Sequence, residues 1–222
     1  DCAHAHGSKY KNDFAGNLGL AGAFSFYPTK IINSAEGGII TTNNKKVFEK
    51  ALILREHGKK NKLYNFHTEL GNNWRFSELH ALLGLEQLKS FKKIIKERNI
   101  IANFYQKKLK KFDDLTIINI PRNTKSGFYK FIILIKSKNK FKIKKIMLDK
   151  FNIKLPGEVY DFMCHKQPVF KKNKELIENF GEKLVNSEEI EKKQLCMPLY
   201  LGLKNKDLNY IIKSLEKTLK LV

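Results

Sequence analysis

Short apolar runs alternate with glycine and asparagine turns through the first forty residues, and helical spacing takes over beyond them. Residues 23–27 and 38–42, rich in Phe, Ile and Thr, read as strands. Asn43 and Asn44 open a helix that runs to about Arg55, and Gly58 ends it. Residues 59–72 read as loop. Ser77 is a good N-cap, followed at helical spacing by Leu79, Leu82, Leu83, Leu85 and Leu88, then Phe91, Ile94 and Ile95. The pattern predicts one long helix reaching about Leu109. Helices of that length often connect two lobes, so a boundary is placed inside it near residue 92, giving domains over 1–92 and 93–222. Beyond it the pattern is α+β. Residues 129–135 read as a buried strand and 141–150 as a helix. Residues 153–160 read as a second extended stretch, broken at Pro156-Gly157, and 173–180, 186–193 and 205–220 as helices.

Composition narrows the class. Hydrophobic residues make up 42% of the 222 positions, with 16 Phe and 8 Tyr, enough for a packed core. No apolar run approaches 18 residues, so no membrane helix is expected. Cys2, Cys164 and Cys196 are too few and too far apart for a disulfide framework, which points to a reducing compartment and a cytoplasmic protein.

The net charge of +21 changes the picture less than its size suggests. It comes from 39 lysines and only 4 arginines, whereas Arg dominates where bases and phosphates are gripped in a bidentate manner. Residues 1–75 hold a surplus of 5 and the remainder a surplus of 16, scattered over predicted helices as solvated faces. Nucleic acid is therefore not the expected partner. A phosphate-bearing small molecule suits the field.

Lys30 stands apart from the other lysines, among Phe24, Phe26, Tyr27, Pro28, Ile31 and Ile32. Desolvation and nearby cations make a lysine amine a usable nucleophile near neutral pH. The same neighbours also suit a lysine that buries its stem and keeps its amine in water. Cys2, His4 and His6, with Cys164 and His165 as a distant complement, lack the paired spacing of a structural zinc site, so no metal is expected. His57 and His67 read as cap or loop residues, and Cys196 as a small buried apolar residue.

Six stretches, taken together and in order, carry a resemblance: "DCAHAHG", "AFSFYPTKIINSAEGGIITT", "LREHG", "GNNWRFSELHALLGLEQL", "FMCHKQPVF" and "CMPLYLGLKNKDLNYIIKSL". They resemble the DegT/DnrJ/StrS family of pyridoxal-phosphate sugar aminotransferases, from residue 1 to about 217. The resemblance implies an α/β fold: the C-terminal part of a fold-type-I aminotransferase large domain over 1–92, then a smaller α+β domain over 93–222. It implies pyridoxal 5′-phosphate as cofactor, nucleotide-sugar and amino-donor substrates, and a homodimer with shared sites.

Roles follow from the same resemblance. Lys30 matches the lysine that holds the cofactor covalently, and Asp1 the acid that pairs with the pyridine nitrogen. Ser25 matches a hydroxyl on the cofactor phosphate, and His4 falls beside the cofactor ring where relatives more often have Gln. Asn73 matches an amide that reaches the phosphate in the partner subunit. Arg75 is assigned to that loop or to the substrate, and His165 to a segment bordering the substrate site. Lys30 would then serve as general acid and base while an amino group passes, usually from glutamate, to a nucleotide-linked keto sugar.

Departures from the family pattern are informative. One branch replaces this lysine with His and dehydrates sugars, so the presence of Lys30 favours amino transfer over a dehydratase. A lysine-rich binding domain without catalysis is the other alternative. Leu20 stands where relatives commonly have Asp, with a packing change the expected result. Relatives also carry a long N-terminal portion before the position of Asp1, with a phosphate-binding turn and an aromatic residue stacked on the cofactor. The chain opens at Asp1 without Met and is read as a fragment, expected to be a poor catalyst by itself.

Overall fold

The computed structural model describes residues 1–61, 64–136, 139–157, 162–176 and 183–222. The chain forms two compact units, residues 1–99 with 120–129, and residues 100–119 with 130–222. The segment 120–129 thus returns to the first unit after the chain has entered the second.

The first unit is built on two antiparallel sheets. Strands β1 (Lys9–Tyr10) and β2 (Asp13–Phe14) form a tight hairpin. Strands β3 (Gly22–Ser25) and β4 (Gly38–Thr41) pair with Ala23 opposite Ile40 and Ser25 opposite Gly38. Helix α1 (Lys45–Arg55) starts where the Asn44 side chain accepts from the Val47 amide at 3.1 Å. It stops at Gly58, whose φ of +75° lets its amide reach back to the Ile53 carbonyl at 2.8 Å. A Cβ at Gly58 would fall 1.8 Å from the Glu69 carbonyl oxygen, so only glycine fits where the 59–72 loop returns to the helix end.

The long helix expected from Ser77 to Leu109 is in fact two helices. Helix α2 (Glu78–Lys89) is capped by Ser77, whose hydroxyl accepts from the His80 amide at 3.3 Å. Helix α3 spans Phe91–Leu109. Ser90 separates them at φ −89° and ψ 0°, its amide turning back to Gln87 while its carbonyl accepts the Ile94 amide. Serine suits such a joint because it favours helix ends over interiors. Ile94 of α3 is buried with Ile31 and Ile32 in a small core, against which Phe26, Phe91, Ile95 and Tyr129 pack.

The second unit holds a three-stranded antiparallel sheet. Strand β5 (Leu115–Ile117) lies at one edge and β7 (Phe131–Ile135) in the centre. Between them in sequence, β6 (Thr124–Lys125) extends the β1–β2 hairpin of the first unit. Helix α4 (Lys140–Phe151) begins at Asn139, whose side chain accepts from the Phe141 and Lys142 amides. Helix α5 (Pro168–Lys172) precedes a 3-10 turn at Lys174–Leu176, where the helix expected over 173–180 would begin; residues 177–180 of that expectation lie outside the described ones. Helix α6 (Val185–Lys193) leads directly into β8 (Gln194–Met197), a fully buried strand paired with β7. The stretch 153–160, expected to be extended and broken at Pro156-Gly157, belongs to no strand over its described residues, 153–157, and β8 completes the sheet. Helix α7 (Asn205–Leu219) buries Leu208, Ile211, Ile212, Leu215 and Leu219 on one stripe, as the spacing requires. It packs on α4, where the Thr218 hydroxyl donates to the Met147 sulfur at 3.3 Å. Cys196 is buried, as the sequence suggested.

Candidate active site

The chain segment at residues 1–8 turns against β3. The Cys2 amide donates to the Ala23 carbonyl at 2.8 Å, and the Ala5 amide to the Cys2 carbonyl at 2.9 Å. Asp1 is exposed, and its carboxylate accepts from the Ala3 amide at 2.8 Å. Ser25 closes β3, with its hydroxyl accepting from the Tyr27 amide at 3.3 Å. The backbone then turns, Lys30 N–H to Tyr27 carbonyl at 2.9 Å, and Ile31 and Ile32 plunge into the core. These two isoleucines anchor the turn, so Lys30 is half-buried at the rim of a packed cluster.

Tyr129 collects the contacts around Lys30. The Lys30 Nζ lies 5.1 Å from its ring centroid, over the ring. His4 stacks on the same residue, with centroids 4.0 Å apart and planes within 15°. The Tyr129 hydroxyl meets the Thr29 hydroxyl at 3.1 Å. From behind, the buried Arg98 donates to the Phe128 carbonyl from Nε and Nη2, at 2.9 and 2.7 Å, and to the Tyr129 carbonyl at 2.7 Å. This capture explains why the strand expected from residue 129 begins only at Phe131. Burial pushes the Arg98 guanidinium down to about 10, still charged at neutral pH, with Tyr129 opposing the shift.

His6 lies beneath, only 3% exposed, between Phe24 at 5.4 Å and Phe26 at 5.8 Å. Neither ring nitrogen has a hydrogen bond of good geometry among the described residues. Burial, then the charges of Lys30 and His4, push His6 down to about 4, against an opposing pull from the Ser25 backbone. It is neutral at pH 7.

Asn73 and Arg75 form a second cluster. Arg75 donates from Nε to the Asn73 side-chain oxygen at 2.9 Å and from Nη1 to Glu56 at 3.3 Å. Glu56 and Asn73 also pair through their backbones. Arg75 therefore braces the Asn73 loop against the end of α1. Phe76 ties this loop toward the Lys30 turn by stacking on Phe26 at 6.4 Å. An apolar groove of about 1170 Å³, lined by Ile39, Ile40, Phe48, Trp74 and Phe76 among others, lies beside Arg75 and does not include Lys30.

His165 belongs to the second unit. It is buried, with Nε2 3.7 Å from a Glu188 carboxylate oxygen, while Lys166 holds the other oxygen at 2.9 Å. The hydrogen bond from Lys166 is the first cause that keeps the Glu188 carboxyl below its usual range.

From the sequence, His6 was weighed only as a metal ligand, and Arg98 and Tyr129 were given no place at the site. Two signals were available. His6 repeats the His4 pattern two residues on, and Arg98 is one of 4 arginines in a chain that otherwise uses lysine.

Lys30 thus lies half-buried in the turn that follows β3, with its amine over the ring of Tyr129 and His4 stacked on the same ring. Residues 1–216 match the DegT/DnrJ/EryC1/StrS aminotransferase family, and the chain belongs to that family. It is 29% identical over 225 residues to the UDP-4-amino-4,6-dideoxy-N-acetyl-beta-L-altrosamine transaminase of Campylobacter jejuni, covering 100% of this chain and 58% of the relative. Helicobacter pylori PseC, an aminotransferase of pseudoaminic acid biosynthesis, superposes with a TM-score of 0.81 at 28% identity over 100% of this chain and 59% of that one. The PLP-form of the putative sugar aminotransferase Spr1654 from Streptococcus pneumoniae superposes at 0.82 and 22% identity, over 100% and 57% of the two chains. The chain thus spans somewhat more than half the length of the relatives it matches. No helix among the described residues is long and apolar enough to cross a membrane.

Proposed function

We propose that this chain is part of a cytoplasmic enzyme that moves an amino group, with glutamate as donor, onto a nucleotide-linked keto sugar for amino-sugar and surface-polysaccharide biosynthesis. The observation that carries this reading is the setting of Lys30: an amine at the edge of an apolar cluster, over the ring of Tyr129. The nucleotide-sugar substrate follows the name of the Campylobacter relative.

The residues present fit pyridoxal 5′-phosphate. The donor set offers an amine for its aldehyde at Lys30, a carboxylate for its ring nitrogen at Asp1, and a hydroxyl and an amide for its phosphate at Ser25 and Asn73. When bound, the cofactor supplies an electron sink for the carbon that loses its proton. Lys30 would hold it and, once displaced by the donor, take the proton from the donor Cα at its Nζ. Asp1 would keep the ring nitrogen protonated. His4, backed by Tyr129, flanks the ring, and a neutral His6 adds no second positive charge beside Lys30.

The first unit corresponds in this reading to the remaining part of the cofactor-binding large domain, and the second to the small domain, with His165 near the substrate. A homodimer with shared sites is supported by α2, where Leu79, Leu82, Leu83, Leu85 and Leu88 are 52–77% exposed and no residue is buried. The basic charge would attract phosphate-bearing substrates. The test is amino transfer from glutamate to UDP-linked 4-keto sugars by the full-length protein. The reading expects turnover that Lys30→Ala abolishes, and turnover surviving that substitution overturns it.

A further inference from the structure

We propose that Tyr129 is a positioning residue, whose ring face is the seat that holds the Lys30 amine where it captures an aldehyde. The proposal rests on the reading of Lys30 as the cofactor lysine.

The ring is fixed at both ends. At its backbone end, Arg98 clamps the carbonyls of Tyr129 and of Phe128, and a guanidinium fork leaves that peptide little freedom. At its far end, the hydroxyl bonds Thr29, the residue preceding Lys30. The bond ties the ring to the same turn that carries the amine, so ring and lysine hold a constant relation. One flat side also carries His4 at 4.0 Å. A long lysine side chain is otherwise free to rotate into water, which costs rate whenever its amine must meet a reaction partner in one orientation. An aromatic face attracts an ammonium without forming a hydrogen bond or an ion pair, so it restrains the group and still lets it go. A carboxylate at this place would hold the charge too firmly and keep the nitrogen lone pair occupied by its proton.

Tyr129 is also placed apart from the other site residues in sequence. It lies at the end of segment 120–129, the piece of chain that comes back to the first unit. Folding of that return therefore completes the surroundings of Lys30.

The test uses the full-length protein stripped of cofactor and mixed with pyridoxal 5′-phosphate. The readouts are the rate at which the visible absorbance band grows and the fraction of Lys30 fixed by borohydride. Tyr129→Leu is expected to slow capture about tenfold, the scale of a partly desolvated cation–ring contact. Tyr129→Phe keeps the ring and is expected to stay within about twofold of the parent, as a seat made by a ring face requires. Circular dichroism checks that the Leu variant is folded, and Tyr129→Met replaces it if it is not. Capture by Tyr129→Leu or Met at the parent rate overturns the proposal. So does a Phe variant as slow as Leu, which would assign the effect to the hydroxyl. Lys30→Ala separates the two readings. If it abolishes the band while Tyr129→Leu leaves the rate unchanged, only the role of Tyr129 fails. If Lys30→Ala keeps the band, the reading beneath it fails as well.

Discussion

The Arg98 guanidinium, 9% exposed, donates to the Tyr129 carbonyl at 2.7 Å from a position on α3 31 residues earlier in the chain. A buried charge is tolerated only when its hydrogen bonds are made, and here backbone carbonyls make them. Arg98→Lys keeps the charge but loses the planar fork that reaches two carbonyls. We expect it to destabilise the full-length protein by about 2–4 kcal/mol, the range for hydrogen bonds to a buried charge. A urea titration checks this, and an unchanged midpoint would show that the clamp is dispensable.

His6 should make stability depend on pH. Its folded value of about 4 lies below the ordinary 6.5, so the unfolded chain binds the proton more readily. Its contribution is fully present above pH 6.5, falls as pH drops through the window, and is gone below about 4. The whole window corresponds to about 3 kcal/mol. Lys30 and His4 are the charges that oppose protonation, and the Ser25 backbone favours it. Denaturant midpoints at pH 7 and pH 5 should differ more for the parent than for His6→Phe. Equal differences would remove His6 as the source.

Arg75→Ala probes the second cluster. The ion pair to Glu56 is largely exposed on the arginine side, so global stability should change by less than about 1 kcal/mol. Cofactor retention should weaken several-fold, because Asn73 loses the brace on its side-chain oxygen. Equilibrium dialysis of pyridoxal 5′-phosphate against the full-length protein measures this. Retention equal to the parent would detach Asn73 from the site.

In the second unit, Ile133 is fully buried on the central strand, while Thr116 on its neighbour is exposed. Ile133→Ala should cost about 2–5 kcal/mol and Thr116→Ala about 0.5 kcal/mol or less. Thermal unfolding of the two variants side by side decides it, and similar losses would contradict the placement of this core.

Much of this architecture was legible because local signals and tertiary structure agree. Asn44, Gly58 and Ser77 act at the helix ends where their chemistry placed them. Helix α7 was visible from its apolar stripe. The two misread strands share a cause: each depends on partners distant in sequence. Strand β8 hides in "QLCM", too short and without the alternation that would tell it from a helix end, and its pairing with β7 fixes it. The start of β7 is set by Arg98, some 30 residues earlier, which takes two carbonyls out of any ladder. Ser90 looks harmless within a continuous apolar pattern, yet it breaks the helix. At the candidate site, the apolar neighbours of Lys30 drew attention to it but left a lysine with a buried stem equally open, and its assigned role came from the family resemblance, while Tyr129 came to lie against it only through a return of the chain.

The central claim is that Lys30 carries the cofactor, and the most direct measurement is the visible spectrum of the full-length protein purified with pyridoxal 5′-phosphate. The account predicts a visible band that borohydride bleaches, with the added mass on the peptide containing Lys30, and no such band in Lys30→Ala. A band that persists in Lys30→Ala, or a bleached adduct mapped to another lysine, would contradict it.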